Sequence, residues 1–125
     1  MVKALENYVA GVLESDREKI GAQFSPSVQV HSPAGNTAST GVDRISANLS
    51  KVKQAMDRFA FVRFGEASDR WHTIQFAGEV QGVPFDEIDL MHLGEDGLID
   101  EMRVFFRPAP AAELFVKAMK AAQKS

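Results

Sequence analysis

Leu5, Tyr8, Val9, Val12 and Leu13 recur at helical spacing near the start of the chain, and this apolar stripe predicts a first helix over roughly residues 2 to 14. Tyr8 lies on the stripe. Ser15-Asp16-Arg17-Glu18 has the form of a capping box, and Ile20 with Phe24 predicts a short second helix ending before Pro26. Val28 to His31 is a brief extended run that places Val28, Val30 and Ser32 on one face and Gln29 and His31 on the other. The stretch from Ser32 to Gly41, SPAGNTASTG, is small, polar and punctuated by Gly and Pro, a loop suited to border a pocket. Ile45, Leu49, Val52 and Met56 then follow at i, i+4, i+7 and i+11, which predicts a third helix over 42 to 56 with a narrow apolar seam.

After Asp57 the period changes to two. Phe59 to Glu66 and Trp71 to Gln81 read as long strands joined near Ala67-Ser68-Asp69-Arg70. In the second, Ile74, Phe76, Gly78 and Val80 form the apolar set, and the same parity turns His72 inward. Pro84 to Arg107 reads as a hairpin about Gly94-Glu95-Asp96-Gly97. Its first strand puts Phe85, Glu87, Asp89, Met91 and Leu93 on one face; its second puts Leu98, Met102, Val104 and Phe106 on the more apolar face. Arg103 and Arg107 fall opposite, where Glu87, Glu101 or carboxylates of a partner are available to pair with them. In a final helix Pro110 suits the first turn, Leu114, Phe115, Ala118 and Met119 supply the buried side, and Lys117, Lys120 and Lys124 complement the C-terminal dipole.

Helix, helix, strand, helix and then four antiparallel strands is an α+β pattern: helices cover one face of a curved antiparallel sheet, which can form a cone. Its interior would be lined by the first helix, the sheet and the loop after Ser32, and would suit a small hydrophobic molecule held by a few polar groups. Apolar residues assigned to the outer sheet face, Ile88, Leu90, Ile99 and Phe105, need cover, which a second copy of the chain would supply.

The 125 residues suit one domain, with 45% hydrophobic and 25% charged residues as in an ordinary globule. A net charge of −3 and no basic patch argue against a nucleic-acid partner. The absence of cysteine excludes disulfides and thiolate sites and fits a reducing compartment. The start, MVKALENYVAGVLES, is amphipathic and charged, neither a signal peptide nor a membrane span, so the cytoplasm is the default location. His31, His72 and His92 are far apart with no ligand-like spacing, so no metal site is expected.

Tyr8, Asp89 and His72 are predicted to face the interior from separate elements, with Ser32 at its edge and Ile74, Phe76, Met102 and Val104 as apolar lining. An ionised carboxylate among apolar neighbours is expensive, whereas a neutral one survives there. Each residue also has a plainer reading: Tyr8 as a core tyrosine, His72 as a satisfied core histidine. Asp89 could also lie on a solvated face, because its neighbours Ile88 and Leu90 are themselves apolar.

The element order, Tyr8-Val9-Ala10, Asp16 opening the second helix, VQVHSPAG from Val28 to Gly35, and Asp96-Gly97-Leu98-Ile99 with Met102-Arg103 resemble the nuclear transport factor 2-like fold. Within it they resemble the ketosteroid isomerase and SnoaL-like polyketide cyclase branches. The resemblance covers essentially the whole chain. It implies a cofactor-free isomerase or cyclase that stabilises an enolate, with Tyr8 and Asp89 as oxyanion donors; the neutral acid of ketosteroid isomerase is an established example of that chemistry. It also implies a homodimer through the sheet. The general base of that family is an aspartate before a proline, and here Ser32 precedes Pro33. A serine hydroxyl without a partner is no base near neutral pH, which leaves His72 as the expected proton shuttle and His31, turned away, as a lesser one. The alternative is a non-catalytic binding module with the same pocket. Epoxide hydrolysis ranks last, since its Asp-Arg-Asp arrangement would need Arg63 turned inward against Val62 and Phe64.

Overall fold

The computed structural model describes residues 2–123. Helix α1 (Lys3–Glu14) buries the Leu5, Tyr8, Val9 and Val12 stripe. It ends at Ser15, which adopts the left-handed conformation with φ 55°. Ser15 is therefore the end of one helix, and Asp16 alone caps α2 (Arg17–Gly21), its side chain accepting from the Lys19 amide at 3.0 Å. The predicted Ser15–Glu18 capping box does not form.

Phe24, expected in the second helix, instead begins β1 (Phe24–His31), which also contains Pro26. The pairing of β1 is irregular between Phe24 and Gln29, so the missing proline N–H interrupts no regular ladder. After a two-residue strand β2 (Ser39–Thr40) comes α3 (Val42–Leu49), shorter than the predicted helix and continued by a 3₁₀ turn at Lys53–Ala55. The apolar seam survives the break, with Ile45, Val52 and Met56 all buried.

Strands β3 (Arg58–Glu66), β4 (Trp71–Val80), β5 (Val83–Leu93) and β6 (Ile99–Arg107) are antiparallel neighbours. The six-stranded sheet has the order β2-β1-β6-β5-β4-β3. It is mixed where a wholly antiparallel sheet was expected, because β1 runs parallel to β6. The curved sheet does not close on itself, and with the helices on its inner face it makes a cone. Gly97, with φ 79°, supplies the positive φ of the β5–β6 turn, which Asp96 Oδ1 holds by accepting from the Leu98 amide at 3.0 Å.

At Gly78 a side chain would strike the Arg58 backbone on β3, 2.7 Å from its carbonyl carbon, and the Phe85 ring, 2.9 Å from Cζ. Gly78→Ala is accordingly expected to lose about 3 kcal/mol in urea unfolding, since the obstacle is backbone and not a movable side-chain tip. Unchanged stability would mean that β3 and β4 can separate here.

One irregularity corrects the expected outer face. The β5–β6 register slips between His92 and Leu93, so that His92 opposes Glu101 while Leu93 opposes Ile99. Asp100 is the extra residue of a bulge. Ile99 therefore turns inward and is fully buried, while Leu98 is only half-buried. Asp100 Oδ1 lies 2.7 Å from His92 Nδ1. The outer face keeps Ile88 and Leu90 half-buried and Phe105 55% exposed. Arg103 pairs there with Glu101 at 2.6 Å and Arg107 with Asp86 at 3.0 Å. Glu87, offered above as a pairing partner, lies inside.

Helix α4 (Ala109–Gln123) buries Ala111, Phe115 and Met119, and Lys120 occupies its last turn. Lys124 lies outside the described residues. No helix among the described residues is long and apolar enough to cross a membrane.

Candidate active site inside the cone

Alternation along β5 brings Glu87 and Asp89 to the inner face, 5% and 1% exposed. Their cross-strand neighbours are apolar: Glu87 lies between Phe76 of β4 and Phe106 of β6, and Asp89 between Ile74 and Val104. From α1 the Tyr8 hydroxyl donates to Asp89 Oδ2 across a long 3.4 Å and lies 3.5 Å from Met102 Sδ. The Tyr8 ring tilts against Phe24 with centroids 5.9 Å apart. Stacked aromatics pack on the same inner face, Phe85 on Phe106 at 4.6 Å and Phe106 on Phe115 at 4.7 Å, the latter fastening α4 to β6.

Two buried carboxyl groups two residues apart on one strand cannot both ionise cheaply. Burial, then the Asp89 charge and a hydrogen bond with Asp89, push Glu87 well above the usual carboxylate range. Burial lifts Asp89 from 3.8 to about 6, with hydrogen bonds to Glu87 and Tyr8 holding it back. Burial, followed by the Asp89 and Glu87 charges, raises the Tyr8 phenol well above its ordinary value. Both acids are thus pushed toward the neutral form, and the pair resists carrying two negative charges at once. Glu87 Oε1 and Asp89 Oδ1 are buried with no hydrogen-bond partner among the described residues, so each keeps unused hydrogen-bonding capacity.

These groups lie in a cavity of about 220 Å³. Of the residues named from the sequence, Tyr8, Asp89, Ser32, Phe76, Met102 and Val104 line it. Ile74 is fully buried beside Asp89 without lining it. Ser32 is exposed at the edge, its hydroxyl accepting from the Ala34 amide at 3.2 Å, the role of a turn residue. His72 does face inward, opposite Met91, but at the far end of β4, where it lines a second cavity with Val2, Leu5, Phe64, Gly65 and Glu66. The structure does not bring it to Asp89. Arg63 is exposed on β3, so an inward arginine for the epoxide-hydrolase arrangement is not present there.

Glu87 is the site residue the sequence reading passed over. The signal was available: it shares the parity of Asp89. The contribution of α4, whose Phe115, Val116 and Met119 close the cavity, left no local trace.

No family model matches the chain, and no curated protein matches it significantly. The fold has clear counterparts among solved structures. An uncharacterised bacterial protein with a cystatin-like fold from Silicibacter pomeroyi is 25% identical over 100% of this chain and 88% of its own, with a TM-score of 0.91. A steroid delta-isomerase from Pseudomonas aeruginosa is 20% identical over 97% of this chain and 89% of its own, with a TM-score of 0.87. A proposed polyketide cyclase from Sinorhizobium meliloti is 14% identical over 84% of this chain and 95% of its own, with a TM-score of 0.68. The chain has the nuclear transport factor 2-like fold, the α+β cone that steroid isomerases, polyketide cyclases and proteins of unknown function share.

Proposed function

We propose that the protein is a cofactor-free enolising enzyme, of isomerase or cyclase type, acting on a small hydrophobic ketone. The observation that carries this reading is the buried Tyr8–Asp89–Glu87 cluster at the base of an apolar cavity. Tyr8 and protonated Glu87 hydrogen-bond to the substrate carbonyl oxygen. Ionised Asp89 takes the proton from the adjacent carbon, the C–H electron pair moves into the carbonyl to form the enolate, and Asp89 returns the proton at another carbon of the conjugated system. Asp89 thereby becomes the base in place of the proton shuttle expected of His72, and Glu87 takes the donor role expected of Asp89. A neutral acid beside an ionised one divides acid and base work between two like groups.

A phenol with a visible ionisation, such as 4-nitrophenol, imitates the enolate. It is expected to bind with its absorbance displaced, and Tyr8→Phe or Glu87→Gln should each weaken that complex roughly tenfold. Binding indifferent to both substitutions would make the cluster structural. A second reading, a binding module without turnover, draws on the Tyr8 hydroxyl being directed at Asp89 and on Ser32 serving its turn. It predicts saturable phenol binding with no exchange of ketone α-protons at any pH.

The reading includes a homodimer through the outer sheet face, where Phe105 is 55% exposed beside Ile88 and Leu90. Phe105→Asp is expected to turn a dimer into a monomer in sedimentation velocity; a wild-type chain that sediments as a monomer would remove this part.

A further inference from the structure

The cavity is graded in charge from base to mouth. Among the described residues its lining has two acidic ones, Glu87 and Asp89, both buried at its base. Its mouth carries two cations, Arg44 of α3 and Lys120 of α4, both exposed. Neither cation has an ion-pair partner among the described residues, whereas Arg58, Arg103 and Arg107 each have one. Two exposed cations of separate elements thus line one cavity in a chain whose net charge is −3. Asn48, half-buried, and Gln123 add neutral hydrogen-bonding groups to the same lining.

Size narrows the ligand further. The cavity measures about 220 Å³. A dry cavity of about 150 Å³ holds benzene, and drug-sized ligands take about 300 Å³ or more. One ring or two fit this space, and the four fused rings of a steroid exceed it.

We infer that the site takes an anionic ketone of one or two rings, an oxo acid, with its carbonyl on Tyr8, Glu87 and Asp89 and its carboxylate at Arg44 and Lys120. The assignment of the carbonyl end rests on the enolising reading above; the carboxylate end rests on the mouth alone. The reverse orientation would press a carboxylate against two buried acids, so the charge gradient also fixes the direction of entry. Screening by salt weakens an exposed contact of this kind, which gives it a signature distinct from apolar binding.

The test uses 3-(4-hydroxy-3-nitrophenyl)propanoate, whose nitrophenol reports on the cavity base and whose carboxylate is carried on a two-carbon arm from the ring, against its uncharged N-methyl amide. The acid is expected to bind more tightly than the amide. That preference should fall roughly fivefold for each of Arg44→Gln and Lys120→Gln, and should shrink in high salt. Both positions are exposed, and thermal unfolding of the variants checks that they fold. If the amide binds with a displaced absorbance but the acid binds no better, the oxo-acid inference is overturned while the enolising site stands. A carboxylate preference lost with the two cations, but with absorbance unchanged and indifferent to Glu87→Gln, supports the anion-binding mouth and overturns the enolising assignment. Failure of both probes to bind overturns both.

Discussion

Asp89→Asn is expected to lower the rate of α-proton exchange from a bicyclic ketone such as β-tetralone by roughly 10²- to 10⁴-fold, the range for loss of a general base. The readout is incorporation of solvent deuterium followed by nuclear magnetic resonance, which detects enolisation without requiring the natural product to be known. The amide is nearly isosteric and can still accept the Tyr8 hydroxyl that reaches Asp89 Oδ2 at 3.4 Å, so the cluster keeps its shape and loses the basic oxygen. Stability should move the other way. Above about pH 7 the substitution removes a buried charge held between Ile74 and Val104, and a higher melting temperature is expected together with the lost exchange. A variant that exchanges as fast as the wild type would remove Asp89 from the reaction. A variant that loses exchange only because it unfolds would be identified by the same melting curve.

The second large effect is on stability as pH varies. Burial raises the Asp89 carboxyl from 3.8 to about 6, so between those values the folded chain binds more protons than the unfolded one. Its contribution is fully present below the ordinary carboxylate value and is lost as pH rises through about 6, a difference of about 3 kcal/mol. Glu87, also raised by burial, adds a loss of the same sign. Urea unfolding should therefore give a more stable protein near about pH 5 than near about pH 8, the reverse of the trend produced by carboxylates in ordinary ion pairs. The surface pairs Arg103–Glu101 and Arg107–Asp86 are exposed enough to offset little of it. The Glu87→Gln/Asp89→Asn double variant should flatten the profile. Stability that increases with pH across this window would mean that the two acids are hydrated or paired, and the cavity base would have to be redrawn.

Both predictions depend on features that were legible to different degrees along the chain. The Leu5–Tyr8–Val9–Val12 stripe predicted the α1 face that is buried, because a period of 3.6 is a local property of consecutive residues. Alternation on β5 put Asp89 with Phe85, Met91 and Leu93 for the same reason. It put Glu87 there too, and Glu87 was nonetheless assigned a surface arginine, since isolated glutamates usually face water. Ile99 was misplaced because a single extra residue, Asp100, inverts parity, and a bulge is set by two strands together.

Composition and periodicity therefore determined the α+β class, the inward faces of α1, β4 and β5, and the candidates Tyr8 and Asp89. Each follows from the spacing of apolar positions within one element. The tertiary structure decided which of the inward groups meet. It joined Glu87 to Asp89 and Tyr8, sent His72 to a different cavity, closed the space with Phe115 and Met119 of α4, and placed Arg44 and Lys120 at its mouth. Those relations depend on where along each element a residue falls once the helices and sheet have packed. Residues distant in the chain share no local pattern that records such a distance.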